Sequence, residues 1–116
     1  MLTSADVDAW AITYYSERIA REISELPVGI FAGYLRLLSA LKQHGPDLGM
    51  PYSRSLGDKL FELRPAGREG IARVFYGAMQ GKRIIMLHSF IKKTQRTPPK
   101  ELRLARNRLM EAQRNG

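Results

Sequence analysis

The sequence predicts an α+β domain in which an antiparallel-rich small sheet is covered by helices, in the order β-αα-βββ-α. Three observations support this fold class. Between residues 59 and 90, three short apolar runs are separated by turn residues. Residues 16–43 before them and residues 98–113 after them carry apolar side chains at helical spacing. We therefore expect an N-terminal helical hairpin and a C-terminal helix to pack against a central sheet.

The three apolar runs form the predicted meander. They lie at residues 59–64, 71–78 and 83–90 and are rich in Ile, Val, Phe and Tyr, which favour strands. Turns at residues 65–70 and 80–82 join them. Strands joined by turns this short must be antiparallel neighbours.

Side chains alternate between the two faces of a strand, so the first run divides into two sets. Phe61 and Leu63 face one side, whereas Leu60, Glu62 and Arg64 face the other. The other two runs also carry cations in their interior or at their ends. We expect these cations to form a polyanion-binding face of the sheet.

The part before the meander predicts one strand and two helices. Residues 10–15 are β-prone and roughly alternating, and Ser16 then suits the N-cap of a helix. Pro27 is expected to stop this first helix. The second helix spans residues 28–43, where apolar side chains fall on one face, and Gly45 ends it.

Two further segments are predicted to be loops, at residues 47–54 and at the basic residues 91–97. Thr97 is a plausible N-cap for the last helix, and Pro98 fits its first helical position. This helix is predicted to run to about residue 113.

Length and composition indicate one domain over residues 1–116, with residues 1–9 flexible. A chain of 116 residues that is 44% hydrophobic can bury a core. It has no Cys, which excludes disulfides and thiolate metal sites and suits a reducing cytosol. The longest purely aliphatic run, Ile84 to Leu87, is far too short to span a membrane. We expect a cytoplasmic protein without a membrane partner.

The charge distribution predicts a polyanionic partner. The net charge is +8, but residues 1–53 carry a net −2 and residues 54–116 a net +10. Nucleic acid, an acidic protein or an anionic membrane would each fit such a surface. Nucleic acid fits best, because the cations lie within strands and loops and do not form one tail. Solubility alone is the plainer explanation.

No enzyme motif with a cofactor is present. The sequence lacks a P-loop, an H-E-x-x-H pair and a Cys/His cluster, so we expect neither a cofactor nor a metal. The remaining signal is a set of cations with a phenol and an imidazole nearby in sequence. Its members are Arg54, Lys59, Arg64, Arg73, Lys92, Lys93, Tyr76 and His88.

Such a set suits phosphodiester chemistry. Arg can bind phosphate oxygens bidentately, and RNA brings its own nucleophile, the 2′-hydroxyl. Several of these residues also have a structural alternative. Arg64 could simply pair with Glu62 or Glu69, Tyr76 could be a core-edge aromatic, and His88 could be a satisfied sheet histidine.

Three stretches in this region resemble the RelE/ParE superfamily of bacterial toxins, and more narrowly its phage-derived, HigB-type branch. They are Leu60 to Arg64, Arg73 to Tyr76, and Met86 to Pro98. The last contains the run Phe-x-Lys-Lys-Thr-x-x-Thr-Pro, which is the most specific part. The resemblance covers roughly residues 10–112.

The resemblance implies a RelE-like fold and the toxin of a type II toxin–antitoxin system. Such a toxin is a ribosome-dependent endoribonuclease that cuts mRNA by attack of the 2′-hydroxyl on the adjacent phosphate, without a metal. The implied partners are the ribosome, mRNA and a cognate helix-turn-helix antitoxin, with which it could form a hetero-oligomer. Two alternatives are a ParE-like inhibitor of DNA gyrase and an inactive toxin remnant that acts as an antitoxin-binding regulator.

The resemblance also assigns residues by position. Arg64 resembles the strand-end arginine that contacts the scissile phosphate, and Arg73 resembles the second strand arginine. Lys92 matches the basic loop that contributes to catalysis. The general base stays open among Lys59, Tyr76 and His88. The residues expected to bind RNA are Arg54, Arg68, Lys93 and Arg96.

Overall fold

A computed structural model of the chain describes residues 9–91 and 96–116. It contains six strands and three helices in these ranges. The strands are β1 (Ala11–Tyr14), β2 (Ser53–Ser55), β3 (Leu60–Leu63), β4 (Ala66–Gly67), β5 (Gly70–Met79) and β6 (Arg83–Ile91). The helices are α1 (Glu17–Ser24), α2 (Val28–His44) and α3 (Pro99–Asn115).

One mixed sheet forms the centre, with strand order β1-β6-β5-β3-β2 and β4 paired to β5. The meander β3-β5-β6 is antiparallel throughout, as predicted. Strand β1 pairs with β6 in parallel, which makes the sheet mixed. The α+β fold with an antiparallel-rich sheet is thereby confirmed.

Two segments predicted as irregular contain short strands. The loop at residues 47–54 ends in β2, which pairs with β3 so that Arg54 lies opposite Glu62. The turn at residues 65–70 contains β4, which pairs with the start of β5. Strands of three and two residues are too short to show a periodicity in the sequence, so the pattern could not reveal them.

Helix α1 begins as predicted, because the Ser16 hydroxyl accepts a hydrogen bond from the backbone N–H of Ile19 at 3.2 Å. The predicted stop at Pro27 is wrong, since α1 already ends at Ser24. Pro27 instead precedes α2, and its carbonyl accepts the N–H of Phe31 at 2.8 Å. Helix α2 ends at Gly45, whose φ of 90° suits glycine, as predicted.

Helix α3 begins one residue later than predicted, with Pro98 at the N-cap position and Pro99 first in the helix. Thr97 was predicted to cap the helix, and this is wrong. The N-cap position is one residue later, at Pro98, and the Thr97 hydroxyl instead donates to the Glu62 carboxylate at 2.8 Å. The helix also extends two residues past the predicted end, to Asn115.

The sheet has a core on each face. On one face, α1 and α2 pack on β3, β5 and β6, with Ile23, Tyr34, Leu63 and Met86 among the buried residues. On the other face, α3 packs through Ala105 and Leu109. In the described ranges, no helix is both long and apolar enough to cross a membrane.

The close approach of α3 depends on Gly77 in β5. A side chain at this position would run into Leu109, so glycine allows the helix to lie directly on the sheet. Helix α3 therefore covers the β5 end near Gly77. The opposite end of the same face, where Arg73 lies, is next to the beginning of the helix.

Candidate functional site

Three arginines from three neighbouring strand segments converge on one carboxylate. Arg54 lies in β2, Arg64 follows β3 directly, and Arg73 lies in β5. The Glu62 Oε1 atom is 3.2 Å from Arg73 Nε, 3.4 Å from Arg64 Nη1 and 3.9 Å from Arg54 Nη2. The pairing of β2, β3 and β5 produces this convergence, because it places these side chains on one face. We call Arg54, Arg64, Arg73 and Glu62 the arginine cluster.

The cluster runs from the interior to the surface. The side chains of Glu62 and Arg73 are 1% exposed, whereas those of Arg64 and Arg54 are 22% and 49% exposed. Burial lowers the pKa of Arg73, the charge of Arg64 lowers it further, and Glu62 opposes both effects. Three cations share a single anion, so the outer arginines retain positive charge that an external anion can neutralise.

Arg73 also has a hydrogen-bond donor to spare. Its Nη1 atom donates to the carbonyl of Ala72 at 3.2 Å. Its buried Nη2 atom has no hydrogen-bond partner among the described residues. A buried polar atom without a partner is costly in an ordinary core, and a ligand that accepts this hydrogen bond would remove the cost.

On the same sheet face as Arg73, His88 of β6 pairs with an acid of α3. The His88 Nε2 atom lies 3.1 Å from Glu101 Oε1, and the two side chains are 14% and 24% exposed. The carboxylate favours the tautomer with a proton on Nε2, which leaves Nδ1 as an acceptor. Nδ1 is buried and has no hydrogen-bond partner among the described residues.

The first turn of α3 also lies at this site. Two hydrogen bonds attach it to the sheet: one joins Thr97 to Glu62, and the other joins Glu101 to His88. In the part of the chain that the structure describes, no side chain caps this end of the helix. Unpaired N–H groups and the helix dipole make a helix N-terminus favourable for anions, which adds to the positive potential of the arginine cluster.

The structure brings together three of the predicted site residues, Arg54, Arg64 and Arg73. His88 lies on the same sheet face in β6, opposite Phe75, which is two residues along β5 from Arg73. Arg64 pairs with Glu62, one of its two predicted acids. Lys92 and Lys93 lie outside the described residues. Arg96 is exposed just before Thr97.

Three predicted residues, Lys59, Arg68 and Tyr76, do not contact the arginine cluster in the structure. Lys59 is in the turn before β3, at the opposite end of the strand from Arg64, a separation of roughly 16 Å for five extended residues. Arg68 is exposed in the turn between β4 and β5. Strand direction carries Lys59 away from the cluster. Arg68 lies in the turn whose next residue, Glu69, bonds to Gly29 of α2.

Tyr76 is on the other face of the sheet. It is fully buried in the core beneath α1 and α2 and stacks on Phe61 with ring centroids 5.4 Å apart. Its hydroxyl donates to the carbonyl of Pro46, and burial raises its pKa. Tyr76 is therefore an aromatic residue of the core, which was the structural alternative to its predicted role in the site. The role of Tyr76 as a base would require it to reach RNA through the sheet.

Glu62, Thr97 and Glu101 were not among the predicted site residues. A signal for Glu62 was present, since it is an acid inside an apolar strand and shares a face with Arg64. Thr97 and Glu101 carried no comparable signal, because their partners lie 35 and 13 residues away in the sequence.

Part of the positive charge of α3 has a structural role. Arg106 donates to the carbonyl of Leu56 at 2.6 Å. Arg108 donates to the carbonyl of Leu87 at 2.7 Å and lies over the ring of Tyr15, 5.0 Å from its centroid. These cations hold the helix on the sheet, so the basic character of residues 54–116 overstates the charge free to bind a ligand.

Within the described ranges, no group of three or more His, Asp or Glu side chains could hold a metal ion. The independence from metals and cofactors stays a prediction.

Comparison with known proteins finds one family. Residues 21–110 match the model of the family described as "Phage derived protein Gp49-like (DUF891)". The match includes the arginine cluster, His88 and Glu101. No curated protein matches the chain significantly.

Proposed function

The chain belongs to the Gp49-like family of phage-derived proteins, and on this premise we propose that it is the toxin of a type II toxin–antitoxin system. In this proposal the toxin is an endoribonuclease that cuts mRNA on the ribosome. The convergence of Arg54, Arg64 and Arg73 on one carboxylate is the observation that carries the proposal.

Three features of the cluster suit a phosphodiester. Arginine presents a planar fork of donors that matches phosphate oxygens. Arg64 and Arg54 are partly exposed, so a phosphate can reach them, while Arg73 is fixed by burial. Positive groups fixed before the reaction stabilise the charge that develops on phosphorus oxygens in the transition state.

The proposed reaction needs no nucleophile from the protein. The 2′-oxygen of RNA forms a bond to the adjacent phosphorus, and the bond from phosphorus to the 5′-oxygen breaks. A base takes the proton of the 2′-hydroxyl, and the leaving 5′-oxygen receives a proton. Among the three predicted bases, His88 is the one on the same sheet face as Arg73, opposite Phe75 in the register of β5 and β6, and imidazole can exchange protons near neutral pH. To act as the base, the His88 ring must turn its buried Nδ1 atom toward the RNA.

Glu101 has a positioning role in this scheme. Its hydrogen bond to His88 Nε2 fixes the ring orientation and the tautomer. The proposed partners are the ribosome, mRNA and a cognate helix-turn-helix antitoxin, and the proposed location is the cytoplasm. Lys92 and Lys93 keep their proposed roles in catalysis and RNA binding, respectively.

The proposal is tested by inducing the protein in a bacterial host and following growth and mRNA integrity. We expect growth arrest with cleaved mRNA, and loss of both effects in Arg64→Ala. The matched control is Arg36→Ala, which removes an exposed arginine from α2 and should remain toxic.

The outcomes separate the proposed function from its alternatives. Growth arrest with intact mRNA and DNA damage would contradict the nuclease and support a gyrase inhibitor. Antitoxin binding without any arrest would instead indicate an inactive remnant. Full toxicity of Arg64→Ala, with an unchanged cleavage pattern, would contradict the assignment of the site.

A further inference from the structure

An aromatic surface adjoins the arginine cluster. Phe75, His88 and Phe90 lie on the same sheet face as Arg73, with ring centroids 5.7 to 6.3 Å apart. Phe75 is fully buried and belongs to the core beneath α3. Phe90 is only partly buried and packs at the margin of that core.

The register of the sheet places Phe90 beside the buried cation. Phe90 in β6 is the cross-strand partner of Arg73 in β5, and such partners have Cβ atoms about 4.5–5.5 Å apart on one face. His88 stacks on Phe90 with an interplanar angle of 27° and forms a hydrogen bond with Glu101. The ring of Phe90 therefore packs on His88 and Phe75 and lies across the strand pair from Arg73.

We propose that Phe90 is a stacking platform for a nucleobase of single-stranded RNA whose phosphate is bound by the arginine cluster. This inference rests on the proposed function and adds the substrate class of the same site. In a nucleotide, one ribose separates the base from its phosphate, so neighbouring side chains can contact both. A base in a duplex is stacked on its neighbours and cannot reach such a ring, so the site selects unpaired nucleotides.

Phe90 contributes to affinity with little dependence on sequence, because every base has a π-face. Packing alone would also explain an aromatic residue at the margin of the core. The two explanations differ in one measurable respect: stacking requires the base of the ligand, whereas packing affects all ligands alike.

The test compares two short single-stranded RNA probes with 2′-O-methyl riboses, which lack the nucleophile and are not cleaved. One probe is intact, and the other has the same backbone without bases. We expect Phe90→Leu to weaken binding of the intact probe by roughly 5- to 150-fold and to leave the base-free probe unchanged. Phe31→Leu, which removes a ring packed on Tyr34 beneath the other sheet face, is the matched control and should change neither affinity.

Equal weakening of both probes, or no change for either, would overturn the inference. If Phe90→Leu does not fold, Phe90→Trp in a Trp10→Phe background gives an independent measurement. Its fluorescence should be quenched by the intact probe and unaffected by the base-free probe, and an absence of quenching at saturation would also overturn the inference. Cleavage of mRNA by the unaltered protein is scored separately, so base-dependent binding without cleavage would contradict the nuclease and support the stacking platform.

Discussion

The carboxylate of Glu62 lies 3.2 Å from the guanidinium of Arg73, and each of the two side chains is only 1% exposed. A buried ion pair stabilises little by itself, because removing two charges from water is costly. It does fix the positions of the two side chains, because a buried charge that moved away from its partner would be left unpaired. Arg64 and Arg54 extend this pair to the surface, so the pair links the core to the proposed site.

Replacement of Glu62 tests this link through stability. Glu62→Gln leaves Arg73 charged and buried without its counter-ion, and such losses cost about 3–5 kcal/mol. Chemical denaturation should show this decrease in the free energy of unfolding. The control Glu22→Gln removes an exposed pair with Arg18, which should cost less than about 0.5 kcal/mol. If both variants lost a similarly small amount of unfolding free energy, Glu62 would not be the residue that stabilises the cluster.

Thr97 should affect stability through its hydroxyl alone. Thr97→Val keeps the shape of the side chain but removes the donor to Glu62, and a hydrogen bond to a charged group contributes about 1.5–3 kcal/mol. Thr97→Ser retains the hydroxyl and should keep most of the stability. Chemical denaturation of the two variants provides the comparison, and equal stabilities would argue against this bond.

The acid stability of the fold should depend on Glu69. Its carboxylate accepts the N–H of Gly29 at 2.9 Å, and this hydrogen bond is the main reason that the pKa of Glu69 lies below its ordinary value. A carboxyl whose pKa is lower in the folded state stabilises the protein when it is ionised. This contribution is present above the ordinary value of 4.5 and is lost as the pH falls through the folded-state pKa.

The corresponding variant is Glu69→Gln. The difference in unfolding free energy from the unaltered protein should be largest near neutral pH and shrink below pH 4.5, as measured by denaturation at several pH values. Glu25→Gln, which removes an exposed carboxylate near the end of α1, is the control and should show less of this pH dependence. A difference that stays constant with pH would contradict the role of Glu69.

Gly67 should tolerate no side chain. A Cβ atom at this position would meet the backbone of Gly29 and Ile30 in the first turn of α2, and backbone cannot yield as a flexible side chain can. Gly67→Ala should therefore cost about 1–3 kcal/mol in chemical denaturation. Arg68→Ala, at the exposed neighbouring position, should stay within about 0.5 kcal/mol of the unaltered protein. A neutral Gly67→Ala would show that β4 does not pack tightly on α2.

The meander and the helices were predictable because each has a local signal. Short turns define the antiparallel neighbours, and Ser16 and Gly45 mark helix ends by their own chemistry. Strands β2 and β4 were missed because their existence depends on partners elsewhere in the sheet. The parallel pairing of β1 with β6 likewise has no local signal.

The candidate site was predictable only in part, for the same reason. Arg64 and Arg73 stand out as cations in or next to apolar strands, and both reach the cluster. The acid that joins them becomes visible only when the register of β3 and β5 is known. Lys59 and Tyr76 are close to these arginines in sequence, but strand direction and side-chain alternation place one at the far end and the other on the opposite face.

The chemistry of the RNA ends provides the most direct test of the proposed function. After induction, cleaved mRNA should carry a 5′-hydroxyl on one fragment and a 2′,3′-cyclic phosphate or 3′-phosphate on the other, because the 2′-oxygen is the nucleophile. These ends should disappear with Arg64→Ala and persist with Arg36→Ala. Fragments with a 5′-phosphate would contradict this mechanism, and mRNA that stays intact during growth arrest would contradict the nuclease itself.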